Sequence, residues 1–305
     1  MIPLVIIAGP TASGKTALSI EVAKRIGGEV ISADSMQIYK KMNIGSAKPT
    51  KEEMDGVRHH LLDVCDPSES FSLSDYTALA HEAIKEVYER GKIPILCGGT
   101  GLYIDTVAEN IALSSAEGGG QVRQRLQNEL SQKDAEYMYQ KLCEVDSESA
   151  KKLHVNDTKR VIRALEIFYL SGETKTEADK KSKKNKKIYD YLYFAIETDR
   201  KILYNRINIR VDKMVEDGLV DEVKSLCGEI DAKNSTAMFG IGYREVLWFF
   251  KGLVTRGEAV ELIKRNTRRL AKRQLTWFRK NKNICWISNT DTEYIVNCIC
   301  ERWRK

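Results

Sequence analysis

The chain reads as an α/β protein: a parallel sheet covered by helices and interrupted by a helical insertion. Three observations carry that expectation. Short apolar runs of strand length recur along the sequence, separated by segments of helical periodicity. The first run enters a glycine-rich turn and leaves it as an amphipathic helix. Between Ser114 and about Ile188 the strand-like runs vanish and only helical patterns remain.

In chain order, PLVIIAG is the first expected strand, GPTASGKT the turn, and ALSIEVAKRI a helix with Leu18, Val22 and Ile26 on one face. EVISAD is the second strand. HHLLDV from His59, KIPILCG from Lys92, YDYLYFAI from Tyr189 and ICWIS from Ile284 follow, with SDYTALAHEAIKEVYERG a helix between two of them. The expected domains are a core of 1–113 and 189–305, which includes a C-terminal basic helix, and an insertion of 114–188. The insertion opens with Gly118, Gly119 and Gly120 and closes with KKSKKNKK, six lysines in the eight residues from Lys180. That run reads either as a solvated loop or as an RNA contact.

Composition narrows the function classes. Among 305 residues, 49 Lys+Arg against 43 Asp+Glu give a net charge of +6, basic but far from histone-like. A hydrophobic share of 42% with only five prolines excludes a disordered or collagen-like chain. No apolar run reaches the roughly 18 residues of a membrane helix, and MIPLVIIAG lacks the basic flank and cleavage site of a secretory signal, so a cytoplasmic protein is expected. The seven cysteines form no CxxC pair and read as free thiols. His59 and His60 stand apart from any cysteine pair, so a metal, if present, is expected to be recruited by phosphate oxygens.

Gly9, Pro10, Thr11, Ala12, Ser13, Gly14, Lys15 and Thr16 fit GxxxxGK[ST] between a strand and a helix, which makes the core P-loop NTPase-like. That geometry aims successive backbone N–H groups and a positive helix end at a phosphate chain. Lys15 is placed to neutralise terminal phosphate oxygens, and Thr16 to put its hydroxyl on Mg²⁺. The cradle leaves open which phosphate compound it holds. Asp34 follows the second strand, at the sheet edge where ligands of open α/β folds collect. There it can hold a metal-bound water, accept a proton from a nucleophile, or cap the next helix. Ser35 and Gln37 add groups able to read a base edge. Gly98 to Tyr103, GGTGLY, is another glycine-rich turn, with the Thr100 hydroxyl at its tip.

A second ligand is signalled near the C-terminus. Lys264 to Lys282 holds nine basic residues in nineteen and no acid. At about 100° per residue, Lys264, Arg265, Arg268, Arg269, Lys272 and Arg273 fall on one arc of a helix. Ala259, Val260, Ile263, Leu270, Trp277 and Phe278 fall on the other. One side is expected to dock on the core and the other to meet a nucleic-acid backbone. Lys159, Arg160 and Arg163 make a smaller cluster of the same kind.

GPTASGKT, DSMQIY, GSAKP, HHLLDV, GGTGLY, NDTKRVIRALE, RVDKMVEDGLVDEV, IGYREV and RRLAKRQLTWFR occur in this order and cover nearly the whole chain. In this the sequence resembles the bacterial tRNA dimethylallyltransferases. The resemblance implies that the loop holds the diphosphate of dimethylallyl diphosphate with Mg²⁺. The acceptor it implies is N6 of the adenosine immediately 3′ of the anticodon (tRNA position 37), in tRNAs that read codons beginning with U, with the anticodon stem-loop as partner. It implies Asp34 as general base, Thr100 beside the scissile C–O bond, and Arg210 on the diphosphate. It also implies tRNA contacts at Asp34, Ser35, Met36, Gln37, Thr100, Arg123, at Lys159, Arg160, Val161, Ile162, Arg163, and at Arg268, Arg269 and Lys272. A monomer is expected. Ser46 and Arg244 stand where threonine and lysine are commoner in that family, and Gly118 to Gly120 replaces a more polar linker. A small nucleotide kinase, an adenylate prenyltransferase and a non-catalytic RNA-binding adaptor are the competing readings. ATP turnover separates the first, and a nucleotide acceptor the second.

Overall fold

The computed structural model describes residues 1–113, 119–182, 185–230 and 235–303. Six strands form one sheet: β1 (Ile2–Ala8), β2 (Gly28–Ala33), β3 (His59–His60), β4 (Ile93–Gly98), β5 (Tyr189–Ile196) and β6 (Cys285–Ile287). Their order is β3-β2-β4-β1-β5-β6, and every pairing is parallel. The helices are α1 (Lys15–Ile26), α2 (Lys51–Met54), α3 (Leu73–Glu89), α4 (Gly101–Ala108), α5 (Gly119–Gln132), α6 (Ala135–Val145), α7 (Ser147–Ala150), α8 (Thr158–Ser171), α9 (Lys175–Ser182), α10 (Arg200–Glu216), α11 (Leu219–Glu229), α12 (Tyr243–Phe250), α13 (Arg256–Phe278) and α14 (Thr292–Trp303). None among the described residues is long and apolar enough to cross a membrane.

β1 is apolar throughout because both of its faces are covered. Leu4, Ile6 and Ala8 join Tyr76, Tyr193 and Phe278 on one face, while Val5 and Ile7 join Leu18, Phe194 and Ile295 on the other. Two of the helix starts are also set locally. Ser72 and Asp75 close a capping box at the head of α3, as Thr255 and Glu258 do for α13. All seven cysteines carry free thiols.

The register aligns the carboxyl ends of three strands. Ala8 and Ala33 both pair with Gly98, so the loops beginning at Gly9, Asp34 and Gly99 leave the sheet from one row. Gly98 must be glycine here, since a Cβ would lie 2.1 Å from the Ala33 carbonyl oxygen.

One expected strand is cut short. HHLLDV stays in the sheet only for His59 and His60, because Leu61 and Asp63 take left-handed backbone (φ 61° and 55°). The remainder pairs instead with the segment after β2: Val64 and Cys65 both donate to the Ile38 carbonyl, at 2.8 and 3.0 Å, and Asp63 to that of Gln37 at 3.3 Å. The run braces the loop that carries Asp34.

The chain divides into two compact units, 1–108 with 188–305, and 109–187. The second contains only helices among its described residues, packed around Leu126, Met138, Leu142, Val161 and Leu165. Buried Asp146 ties α7 to α9, accepting from the Thr176 N–H at 2.9 Å and the Thr176 hydroxyl at 2.7 Å. Its two ends are clasped together: the Asn110 amide donates to the Lys186 carbonyl at 3.0 Å, and the Asn185 amide to the Asn110 carbonyl at 2.9 Å. The expected opening of the insertion at Ser114 to Gly118 lies outside the described residues, as do Lys183 and Lys184 of the lysine run.

Candidate active site

The phosphate loop is shaped by two left-handed residues, Ala12 (φ 62°) and Gly14 (φ 92°), which turn successive N–H groups into one concavity ahead of α1. Gly9 faces Ser13, whose hydroxyl would lie 2.8 Å from a Cβ at that position. The Ser13 hydroxyl is itself buried, with no hydrogen-bond partner among the described residues. Lys15 folds back over the loop to the Pro10 carbonyl at 3.4 Å. Lys15 is half-buried; desolvation lowers its pKa, and the nearby Asp34 carboxylate opposes that shift. Arg210 reaches the loop from α10, its guanidinium 3.5 Å from both the Thr11 hydroxyl and the Ala47 carbonyl. It too is depressed by burial and supported by the charges of Asp34 and Glu53. The loop thus meets two desolvated cations, with one carboxylate felt by both.

Asp34 does not cap a helix. Its Oδ1 accepts from the Met36 N–H at 2.9 Å, a local turn that sets the start of the DSMQ loop. Thr100 joins this loop to the GGTG turn. Its N–H donates to the Ala33 carbonyl at 3.1 Å, and its hydroxyl accepts from the Ser35 N–H at 3.2 Å. Gln37, expected to face a base, is engaged on both sides: its Oε1 accepts from the Ser32 hydroxyl at 3.0 Å and its Nε2 donates to the Ala47 carbonyl at 3.1 Å. Met36 packs against Gly240, where a Cβ would fall 2.3 Å from its methyl carbon.

Two spaces adjoin these groups. A cleft of about 690 Å³ is lined by Lys15, Thr16, Lys48, Arg206, Arg210 and Lys213, among others. A small cavity of about 20 Å³ lies among Thr16, Ser32, Asp34, Gln37 and His59. His59 donates from Nδ1 to the Val57 carbonyl at 2.9 Å, which leaves Nε2 as a buried acceptor without a partner among the described residues. Burial lowers its pKa and favours the neutral ring. Among the described residues no group of three or more His, Cys, Asp or Glu forms a metal site. The oxygen donors beside the loop, the Thr16 hydroxyl and the Asp34 carboxylate, fit a hard cation such as Mg²⁺ that takes its other ligands from phosphate and water.

Sequence reading missed Arg206 and Lys213. The signal was present: 206, 210 and 213 recur at helical spacing and place three cations on one face of α10. It also missed the brace on the cleft rim. Glu222 accepts from the N–H groups of Asn43, Ile44 and Gly45 at 2.8, 2.8 and 3.1 Å, and from the Tyr243 hydroxyl at 2.8 Å.

The basic helix α13 is narrower as a free surface than its sequence arc. Lys264 is only 15% exposed and pairs with Asp212 at 2.7 Å, and Arg268 donates to the Asn208 amide oxygen at 2.6 Å. Both face α10. Arg265, Arg269, Lys272 and Arg273 are exposed. In the helical unit, Lys159 and Arg160 are exposed, whereas Arg123 and Arg163 converge on the buried Glu166 carboxylate at 2.8 and 2.7 Å. Val161 and Ile162, expected among RNA contacts, have their side chains in that unit's core, because α8 turns its apolar stripe inward.

An all-parallel sheet with a GxxxxGK[ST] loop at its carboxyl edge, beside a carboxylate and a half-buried arginine, defines a phosphate-loop protein of the α/β class. The family described as IPP transferase matches residues 37–281. The tRNA dimethylallyltransferase of Acetivibrio thermocellus is 46% identical over 94% of this chain and 92% of that protein, and that of Halalkalibacterium halodurans 45% identical over 95% and 92%. Among solved structures, the tRNA isopentenylpyrophosphate transferase of Bacillus halodurans is similar with a TM-score of 0.74 and 43% identity, covering 99% of this chain and 96% of that one. A eukaryotic dimethylallyltransferase acting on tRNA is similar with a TM-score of 0.81 and 30% identity, covering 96% and 75%. The chain belongs to the IPP transferase family.

Proposed function

We propose that this chain transfers the dimethylallyl group from dimethylallyl diphosphate to N6 of the adenosine immediately 3′ of the anticodon, tRNA position 37, in tRNAs reading codons beginning with U. The products are N6-(dimethylallyl)adenosine and diphosphate. The observation that carries the reading is the row of three strand ends, which brings the phosphate loop, Asp34 and Thr100 to one edge of the sheet. The names of the relatives support the tRNA acceptor.

Lys15, Arg210 and the loop N–H groups bind the diphosphate and stabilise the negative charge that grows on it as the C–O bond breaks. Thr16, with Asp34 nearby, would hold Mg²⁺, which would supply further charge neutralisation of the leaving group. An adenine amino group is a weak nucleophile, so the base must leave its stack and be desolvated against the prenyl carbon. N6 forms the new C–N bond and its proton passes to the Asp34 carboxylate. The Thr100 hydroxyl, fixed by the Ser35 N–H, lines the path between the two reactants. Exposed Arg265, Arg269, Lys272 and Arg273 meet the tRNA backbone. A monomer belongs to the same proposal, and a tRNA acceptor supports a cytoplasmic setting.

The test offers labelled dimethylallyl diphosphate with unmodified tRNA, AMP or ATP in separate reactions. Label is expected in tRNA alone. Label in AMP, or phosphate release from ATP without prenyl transfer, overturns the proposal in favour of an adenylate prenyltransferase or a kinase.

A further inference from the structure

Gln274 is the one uncharged polar side chain in the run RRLAKRQL, and neither arc of the basic helix accounts for it. Its amide lies between the two glycine-rich loops of the site. The Thr11 N–H, in the phosphate loop, donates to Gln274 Oε1 at 2.9 Å. Gln274 Nε2 donates to the Gly99 carbonyl, in the turn that carries Thr100, at 3.0 Å. The orientation of the amide is fixed by its partners, since a backbone N–H can only donate and a carbonyl only accept. A Cβ on Gly99 would fall 2.4 Å from Nε2, so glycine at this position is what lets the amide approach.

The base of this side chain is held as firmly as its tip. One turn before it, Ala271 is fully buried against Leu203 and Ile207 of α10, with Leu275 and Ala12 packed on the same cluster. One turn after it, the Trp277 indole N–H donates to Asp105 of α4 at 2.7 Å, and the ring lies so close over Gly101 that a Cβ there would come within 2.2 Å of it. A glutamine has three rotatable bonds to lose. Here both ends are anchored before any ligand arrives, so its two hydrogen bonds act as a spacer and not as an adaptable contact. Thr11 sits within the loop that ends in Lys15 and Thr16, and Gly99 directly precedes Thr100.

We infer that Gln274 is a positioning residue for prenyl transfer, setting the distance between the diphosphate cradle and the Thr100 turn through its bonds to Thr11 and Gly99. The inference rests on the proposed function, and it gives α13 a second task besides RNA docking. Displacements of about 1 Å at a reacting pair can cost 10²-fold in rate. A slackened spacer is therefore expected to act on the chemical step more than on either binding event.

The experiment compares Gln274→Met, which keeps length and removes both bonds, with Gln274→Glu, which can still accept from Thr11 but cannot donate to Gly99. Single-turnover rate, dissociation constants for tRNA and for dimethylallyl diphosphate, and amide hydrogen exchange at Thr11 are measured on the full chain. For Gln274→Met the expected result is a fall in single-turnover rate of about tenfold or more, tRNA affinity within about twofold of wild type, and faster exchange at Thr11. Gln274→Glu should retain Thr11 protection with an intermediate rate. A wild-type rate in Gln274→Met overturns the inference, and so does a loss confined to tRNA affinity, which would make Gln274 an RNA contact. Should Gln274→Met fail to fold, Gln274→Glu decides: a wild-type rate overturns the inference and a reduced rate with protected Thr11 supports it. Failure of the wild-type chain to prenylate tRNA overturns the proposed function instead, while the Thr11 exchange result still reports whether the spacer exists.

Discussion

Asp34→Asn removes proton acceptance and one negative charge while keeping the shape of the side chain. The Met36 N–H donates to Oδ1 at 2.9 Å, and an asparagine carbonyl can accept the same bond, so the turn that begins the DSMQ loop should survive. What changes is a single negative charge and the ability to take a proton. Lys15 and Arg210 both feel that charge, and removing it makes the cradle more positive, with Glu53 left as the carboxylate supporting Arg210. Binding of the anionic diphosphate should therefore hold or tighten. A general base contributes about 10²–10⁴-fold to a rate, so the single-turnover constant should fall into that range while the affinity for tRNA changes little. Rapid-quench measurement with labelled dimethylallyl diphosphate and excess enzyme reads the chemical step directly. A variant within about threefold of wild type would refute the reasoning, for the loss of a general base is expected to cost far more than that. Asp34 would then be left as a turn-forming residue or a holder of metal-bound water.

Lys15→Ala and Thr16→Ala should each impair the use of dimethylallyl diphosphate, and raising the Mg²⁺ concentration should partly rescue only Thr16→Ala; equal rescue of both would contradict the assignment of the ion to Thr16. Neutralising Arg269, Lys272 and Arg273 together should weaken tRNA binding and reduce the slope of log affinity against log salt by about 0.7 for each phosphate no longer neutralised. Melting temperature should be nearly unchanged because these side chains face water, and an unaltered salt slope would show that the helix face is merely solvated. Gly101→Ala would push a methyl into the Trp277 ring, so overpacking should cost about 1–3 kcal/mol of stability in thermal or urea unfolding. Glu29 is buried and hydrogen-bonded to His60, Arg90 and Lys92, which hold its pKa at about 2 against an ordinary 4.5 despite desolvation. Its folded-state pKa lies below the unfolded one. The stabilisation is therefore complete above about pH 4.5 and lost as the pH falls toward 2, on the order of 3 kcal/mol by linkage. Glu29→Gln should flatten acid unfolding across that window, and an unchanged acid profile would exclude the ion cluster as its source.

Much of this architecture was legible because it is written in local chemistry. Continuous apolar runs, the spacing of Gly9, Gly14, Lys15 and Thr16, and the polar residues directly after strand ends all report on the chain within a few residues. Spacing on a helix carried the basic arc of α13, but it could not say which cations would be claimed by a neighbour, and Lys264 and Arg268 turn to α10 through partners more than fifty residues away. The same limit hid Glu222, Gln274 and the purpose of HHLLDV. An apolar run from His59 promised a strand, and it took the left-handed Leu61 and Asp63, chosen by tertiary pairing with Ile38, to bend that segment away. Val161 and Ile162 were drawn in with their basic neighbours, although a helix always turns some of a contiguous run inward.

The clasp between Asn110, Asn185 and Lys186 makes the helical unit a plug with adjacent pins. A parallel crossover from β4 to β5 needs only enough chain to return over the sheet, and α4 already begins that return. Because both ends of the insertion meet, replacing the helices with a short glycine-rich turn would add little loop-closure entropy and leave the strand order intact. The catalytic layer is in this sense a complete scaffold by itself, and its guest can be lengthened, shortened or exchanged by recombination at one point on the surface. Substrate range could then diversify in the guest while the chemistry of the host stayed fixed.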